Sequence, residues 1–506
     1  MSRPWTKWIA VGIVVCSTNA FLLLQAQDKS AAKGDSADSP LAVEPDSSIE
    51  LFESASLMAD LGRFDLAKRY LKKLVEKKLT DEELLAIRDQ FGTVELFQLA
   101  RTEELLPESK TLLTQVTEAS RRNATNPARI DRILADLDKS PRERELAILE
   151  LRNIGIAAMP RLVQHLGNPE SNQDRDRLVY IMTKMGEPVL PALFGTLGSA
   201  EPMLQSSVLE VIGFLANPEM IDPLWYHAFS EDELPSVRVS AQIALARILF
   251  GSAEKIKYVS SFGAQDRIQS AALQYLGNQR VWEKDDQGRV TLWKWNAAQQ
   301  TVLPTSVTPA AASLDSALKY SQQSLGMPGE NEKVQALFLS AVLADAAYRA
   351  GWKESMPTGP GTAFNLALAS GLPVLSSSVE ISLKAGQIRA AESAMAAISL
   401  VGNDNLLKSS QTKSSTFIQG LNHPSRRIQF AAAVGILQLE PETSFRFASR
   451  VVEILTQALN DDGSQKVLVI DPNTDRGRRI STAVSQMGYN QEIGTSGKEC
   501  FELTAA

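Results

Sequence analysis

Between Pro141 and Phe250 the apolar positions recur at helical spacing and the whole pattern then repeats. Leu146, Leu149 and Ile154 form one such line, and Leu178, Ile181 and Met185 form the next. Apolar residues three or four apart put one stripe on one side of a helix, so each segment predicts an amphipathic helix with a buried face. The Ile154-Gly155, Met185-Gly186 and Ile212-Gly213 pairs read as helix ends, because glycine takes the positive φ that terminates a helix. Prolines follow at 160, 191 and 223, near the start of a second, shorter helix, where a missing N–H costs nothing. They lie 31 and then 32 residues apart. A fixed period of this size marks stacked helix pairs that hide their apolar stripes only against their neighbours.

Outside this stretch the pattern continues with interruptions. Ile49–Ser120 and Ala310–Asn460 are helical in period, the latter rich in alanine. Val281–Pro309 changes to strand-like alternation. There Arg280–Lys284 and Arg289–Trp295 flank a turn at Asp285-Asp286-Gln287-Gly288 and predict a hairpin, with Thr301–Val307 as a third strand. Trp282, Trp293 and Trp295 sit inside it, either as the packing core of a small meander or as a binding ledge. Gln27–Ser48 is rich in Ser, Ala, Asp and Pro and reads as a tether. Before it, Arg3 and Lys7 precede the apolar run Ile9–Leu24, the pattern of a secretory leader, either cleaved or kept as an anchor.

The 141–250 pattern resembles HEAT repeats, carried by the glycine-ended helices, the prolines and Val237-Arg238-Val239-Ser240-Ala241-Gln242-Ile243-Ala244. Leu57–Leu71 resembles one tetratricopeptide hairpin, with Gly62 and Ala67 as its small packing positions. Ala317–Leu343 resembles a junction between two such repeats. Phe417–Pro424 echoes Leu162–Pro169, and Arg426-Arg427-Ile428-Gln429 echoes the start of Val237–Ala244. The resemblance implies a mostly α chain: an α-solenoid of HEAT- and tetratricopeptide-like hairpins that binds through its surface.

Lys466-Val467-Leu468-Val469-Ile470-Asp471 is a short strand ending in a carboxylate, followed by a helix over 475–487 and a second strand through Ile493. This β-α-β-α opening resembles a response-regulator receiver domain. In that family two adjacent acids help hold Mg²⁺ and a later aspartate takes the phosphoryl group. Asp471 matches the first acid, Pro472 stands in place of the second, and the sequence stops at Ala506 before a third strand. The resemblance therefore implies a degenerate or truncated receiver without phosphoryl transfer.

The resulting organisation is a leader or anchor over 1–26, a linker over 27–48, a tetratricopeptide-like region over 49–125 and a HEAT-like solenoid over 126–279. A β insertion over 280–309, a second helical block over 310–460 and a receiver-like segment over 464–506 follow. The net charge of −7 and the lack of a long basic stripe argue against nucleic acid as partner. Two cysteines, Cys16 and Cys500, exclude a four-cysteine zinc site, and the three histidines, His165, His227 and His423, lie in different repeats without a metal-binding motif. No nucleophile elbow, phosphate loop or paired-acid motif stands out, so no catalytic residue, cofactor or metal is expected. The expectation is a non-enzymatic scaffold, exported to the periplasm or beyond. It would bind a protein or peptide on the concave face of residues 141–250 and meet membrane only through an N-terminal anchor. Trp282, Trp293, Trp295, Arg426 and Arg427 are the interaction candidates. A signalling regulator using the receiver-like segment is the alternative, and a helical-repeat enzyme a third.

Overall fold

The computed structural model describes residues 44–329, 331–351, 354–407, 415–460 and 466–500. The leader and most of the linker lie outside them, as do Glu330 and the last residues of the receiver-like segment. The chain divides into two compact units, Met1–Asn123 and Ala124–Ala506.

The first unit is a set of helices around its own buried cluster. Helices Ser48–Asp60 and Phe64–Glu76 form a hairpin whose facing sides bury Phe52, Ala55 and Met58 on one helix and Ala67, Tyr70 and Leu71 on the other. Ser47 and Glu50 cap the first helix reciprocally, which satisfies two otherwise orphaned N–H groups. Ala67 packs as expected, but Gly62 does not: it sits in the turn at φ +71° with open space where a side chain would go. The tight turn, not close helix contact, requires glycine there. The cationic face of the second helix is solvated and partly answered by carboxylates, with Lys77 3.1 Å from Asp46 and Lys68 3.5 Å from Glu108.

The second unit is an α-solenoid of helical hairpins with a small β-hairpin inserted and a partial α/β segment at its end. One layer holds the longer helices Pro141–Ile154, Asn172–Met185, Pro202–Leu215 and Pro235–Phe250, each packed on the next. The other holds the short helices Met159–Gly167, Leu190–Thr196 and Asp222–Phe229. Prolines 160, 191 and 223 fall in the first turns of the short helices. Gly155 and Gly186 end their helices at φ +65° and +85°.

Two details of the periodic reading are corrected. Gly213 is not a helix end but lies inside Pro202–Leu215, where an added Cβ would stand 2.9 Å from Ala244 Cα. It is glycine because two long helices nearly touch there. Leu146 and Leu149 are exposed, and Ala147 with Leu151 takes the buried line instead. This helix carries two apolar lines, and the one led by the small alanine allows the closer approach to its neighbours. Leu178, Ile181 and Met185 are buried as expected.

The hairpin also differs from its prediction. Strands β1 (Val290–Asn296) and β2 (Thr301–Val307) pair antiparallel, with Trp293 opposite Pro304 and Trp295 opposite Val302. The segment before them forms no strand. The turn at 285–288 exists, closed by Gly288 N–H donating to the Asp285 carbonyl at 2.8 Å. Trp282, however, gives its indole N–H to Ser313 Oγ at 2.9 Å instead of joining a ladder. A half-buried aromatic with a polar edge is held better between two helices, one supplying the Tyr275 ring and the other the Ser313 hydroxyl, than by a two-stranded edge.

Beyond the hairpin, helices Pro309–Leu325, Asn331–Ala350, Leu372–Lys384, Ile388–Val401 and Arg426–Gln438 continue the stacking. One buried cluster runs from Ile130 to Ile454, so both helical blocks share a core. Alanines 390, 391, 394 and 397 let the later helices approach closely. Between helices Asn331–Ala350 and Leu372–Lys384 the hydroxyls of Ser340 and Ser378, both fully buried, meet at 2.9 Å. Ser340 also donates within reach of the Ala336 and Ser378 carbonyls.

At the end, β3 (Lys466–Ile470) and β4 (Asn490–Gly494) pair in parallel, connected by helix Thr474–Gln486. No helix among the described residues is long and apolar enough to cross a membrane.

Candidate functional site: two faces of the helical array

The hairpin lies across the short-helix layer. Gly195 has no room for a side chain, since a Cβ would fall 2.4 Å from the Trp293 carbonyl oxygen and 2.9 Å from Val302 Cγ2. A Cβ on Gly198 would press on Trp295 at 3.3 Å. Thr301 donates to the Pro160 carbonyl, and Gln164 Nε2 donates to the Gln299 carbonyl at 3.2 Å. Lys294 pairs with Asp315 on the far side. Trp293 and Trp295 are thus half-buried residues that clamp the hairpin to helices 159–167 and 190–196.

Trp282 lies tilted against Tyr275 at 5.6 Å, and Tyr275 stacks on Tyr320 at 5.5 Å. Burial pushes both phenols above their ordinary pKa, Tyr320 well above. Arg280 lies 5.6 Å from the Tyr275 ring and donates to Asp222 Oδ2 at 2.8 Å and Gln274 Oε1 at 2.7 Å. These groups border a shallow cleft of about 270 Å³ together with Asp266, Arg267 and Ser270. Arg267 sits 5.1 Å above the Trp225 ring. Within the cleft Arg280 is matched to Asp222 and Arg267 to the Trp225 ring, which suits a structural joint.

Near the hairpin turn, Arg161 grips Asp131 through both carboxylate oxygens at 2.7 and 2.8 Å, and His165 Nε2 donates to Asp131 Oδ1 at 2.9 Å. Arg161, then His165, holds the Asp131 carboxyl below its ordinary pKa. Buried His227 gives its Nδ1 proton to Glu233 at 2.6 Å, and His423 Nδ1 accepts from the Ser425 N–H at 3.1 Å. His165 thus links its repeat to the preceding helix, while His227 and His423 bond within six residues of themselves. No group of three metal-binding side chains occurs among the described residues. Arg427 is half-buried against Glu392, while Arg426 is exposed on the same helix. The structure does not bring the two arginines and the three tryptophans into one site.

The long-helix layer is different. Along its outward line each helix exposes large apolar side chains: Leu149 at 51% of full exposure, Tyr180 at 51%, Phe214 at 54% and Val239 at 48%. A scattered exposed leucine means little, but here exposed apolar side chains recur on four successive helices of one layer. Two of these rings are roofed by cations, with Arg247 4.1 Å above Phe214 and Lys184 5.2 Å above Tyr180. The pattern of apolar positions carries a signal for this face, since Leu146 and Leu149 belong to it, but apolar periodicity does not say which of two lines is buried.

In the C-terminal segment Asp471 is buried at the end of β3. Its carboxylate accepts from the Arg476 guanidinium through both oxygens, one at 2.9 Å, and from the Asn473 N–H at 2.8 Å. Arg476 holds the carboxyl below its ordinary range. Both oxygens of this carboxylate are thus occupied by a guanidinium from the following helix.

No protein-family model and no curated protein matches the chain. Among solved structures, the chain is similar to human deoxyhypusine hydroxylase in complex with glycerol. The identity is 15% and the TM-score 0.19 over 63% of this chain and 98% of that one. At that score the likeness carries no argument, and the α-solenoid rests on the helices and core described above.

Proposed function

We propose that this protein is a non-catalytic scaffold, exported to the cell envelope, that holds another polypeptide on the long-helix face of its HEAT-like array. The observation that carries the reading is the row of exposed apolar side chains on four successive long helices, Leu149, Tyr180, Phe214 and Val239. Stacked repeats characteristically bind through such extended faces. Of the two layers this one is open, because the hairpin occupies part of the other. Export rests on the leader pattern at the N-terminus, and the receiver-like end reads as a degenerate module, since Pro472 and the Asp471–Arg476 pair leave no open metal position.

A photo-crosslinking residue placed at Tyr180 or Phe214 in the full chain tests this in the producing cell. The expected result is a discrete polypeptide adduct from both positions and none from Lys384, an exposed position on the second helical block. Absence of any adduct from the long-helix face, or an equal yield from the control, overturns the reading.

A further inference from the structure

We infer that the segment bound on this face is acidic, with carboxylates interspersed among recurring apolar residues; this deepens the scaffold reading and rests on it. The inference comes from charge that the face leaves unanswered. Arg142 and Arg152 on the first long helix, Lys184 on the second and Arg247 on the fourth lie along the outward lines. None of these four has a carboxylate partner among the described residues. The carboxylates nearby are mostly committed: Asp176 and Glu210 lie 2.7 and 3.7 Å from Arg175, and Glu150 lies 2.7 Å from Arg129. Glu145 remains as the exposed acid on the first helix.

Two of the cations do a second thing. Lys184 and Arg247 lie over the Tyr180 and Phe214 rings, so each ring and its cation form one amphipathic rung. A ring presents a flat apolar surface while the cation offers N–H donors at its edge. A side chain seated on the ring therefore brings its backbone neighbours within reach of a guanidinium or ammonium. Adjacent packed helices stand roughly 8–10 Å apart. A chain in the polyproline II conformation rises about 3.1 Å per residue with three residues per turn, so every third residue turns the same way and meets a new rung. Carboxylates on the residues between would face the unpaired cations.

The same geometry disfavours a uniform polyanion. Glu145 stands exposed on the same helix as Arg142 and Arg152, and a lipid headgroup surface or a nucleic-acid backbone would have to bring its charge against it. A polypeptide can place its acids selectively.

The test uses the full chain and fluorescently labelled designed peptides with leucine at every third position and Glu, Gln or Lys between. Anisotropy is read at low and high salt, with flotation on phosphatidylserine vesicles alongside. The Glu peptide is expected to bind roughly ten-fold tighter than the Gln peptide and to weaken with salt. The pair Lys184→Glu and Arg247→Glu should abolish that preference and raise affinity for the Lys peptide. Should the double reversal disturb folding by circular dichroism, the pair Lys184→Gln and Arg247→Gln reads the same loss of preference. Equal binding of Glu and Gln peptides, preference for Lys, or binding to vesicles but not to the Glu peptide overturns the inference. The scaffold reading falls separately, only if the crosslinkers at 180 and 214 capture nothing; adducts without acid preference sink the charge inference alone.

Discussion

A half-exposed carboxylate gripped by a guanidinium contributes stability only while it is ionised. Asp131 is such a group, held below its ordinary pKa first by Arg161 and then by His165. Its folded pKa is depressed, so the contribution is present above the unfolded value of about 3.9 and is lost as pH falls through the folded one. Replacing Arg161 with alanine should raise the Asp131 pKa, read by NMR titration. It should also open a stability gap from the natural protein of at most about 1 kcal/mol at neutral pH. That gap should close below about pH 4. A gap that stays constant from neutral to acid would show that Arg161 acts by packing and not by charge. At this scale the sequence was legible where one residue type answers one backbone demand. Gly155 and Gly186 take the positive φ their helix ends require, and prolines 160, 191 and 223 open helices. It was not legible where a glycine answers a distant neighbour. Gly213 and Gly195 are small because of Ala244 and Trp293, residues that no local pattern connects to them.

Among elements, the hairpin shows how local signals mislead. The 285–288 turn is a strong strand-reversal signal, and it does form. Yet its first arm is drawn to the helix Pro309–Leu325 by the Trp282–Ser313 hydrogen bond and to the helix Ala264–Leu276 by the Tyr275 ring, and the ladder forms between β1 and β2 instead. Tertiary partners outweigh the pairing energy of a short edge strand, which is small for a lone two-stranded ribbon. The hairpin is seated by absence of volume at Gly195. A Gly195→Ala change would place its methyl group inside the Trp293 backbone, and overpacking of this kind costs about 1–3 kcal/mol. The array has a large core of its own, so the expected outcome is local: the hairpin lifts. Tryptophan emission should shift to the red and the β1–β2 amides should lose exchange protection, while helical circular dichroism is retained. Unchanged amide protection would mean that the helix moves and the hairpin stays.

For the whole molecule, the repeat period and the predominance of helix were readable from the 141–250 stripe, because every unit restates the same demand for a neighbour. The joining of the two helical blocks into one core was not, since it depends on how helices on either side of the hairpin meet. The two compact units have separate buried clusters, one from Leu51 to Ala119 and one from Ile130 to Ile454. A chain beginning at Ala124 should therefore fold alone, with the same far-ultraviolet spectrum per residue for its helices and a cooperative melt. A molten, dye-binding product would show that the first unit completes the core of the second.

Smooth alanine-faced rods can slide along one another by a turn with little penalty, because each notch looks like the next. The buried Ser340–Ser378 contact removes that freedom. A slip that parted them would cost the Ser378 hydroxyl its partner in a dry interior, at roughly 1–3 kcal/mol, while Ser340 kept the Ala336 carbonyl of its own helix. The hydroxyl pair thus works as a vernier mark, keeping the spacing of every later coil in step with the earlier ones, so that any molecule lying along several coils at once finds its footholds at fixed intervals.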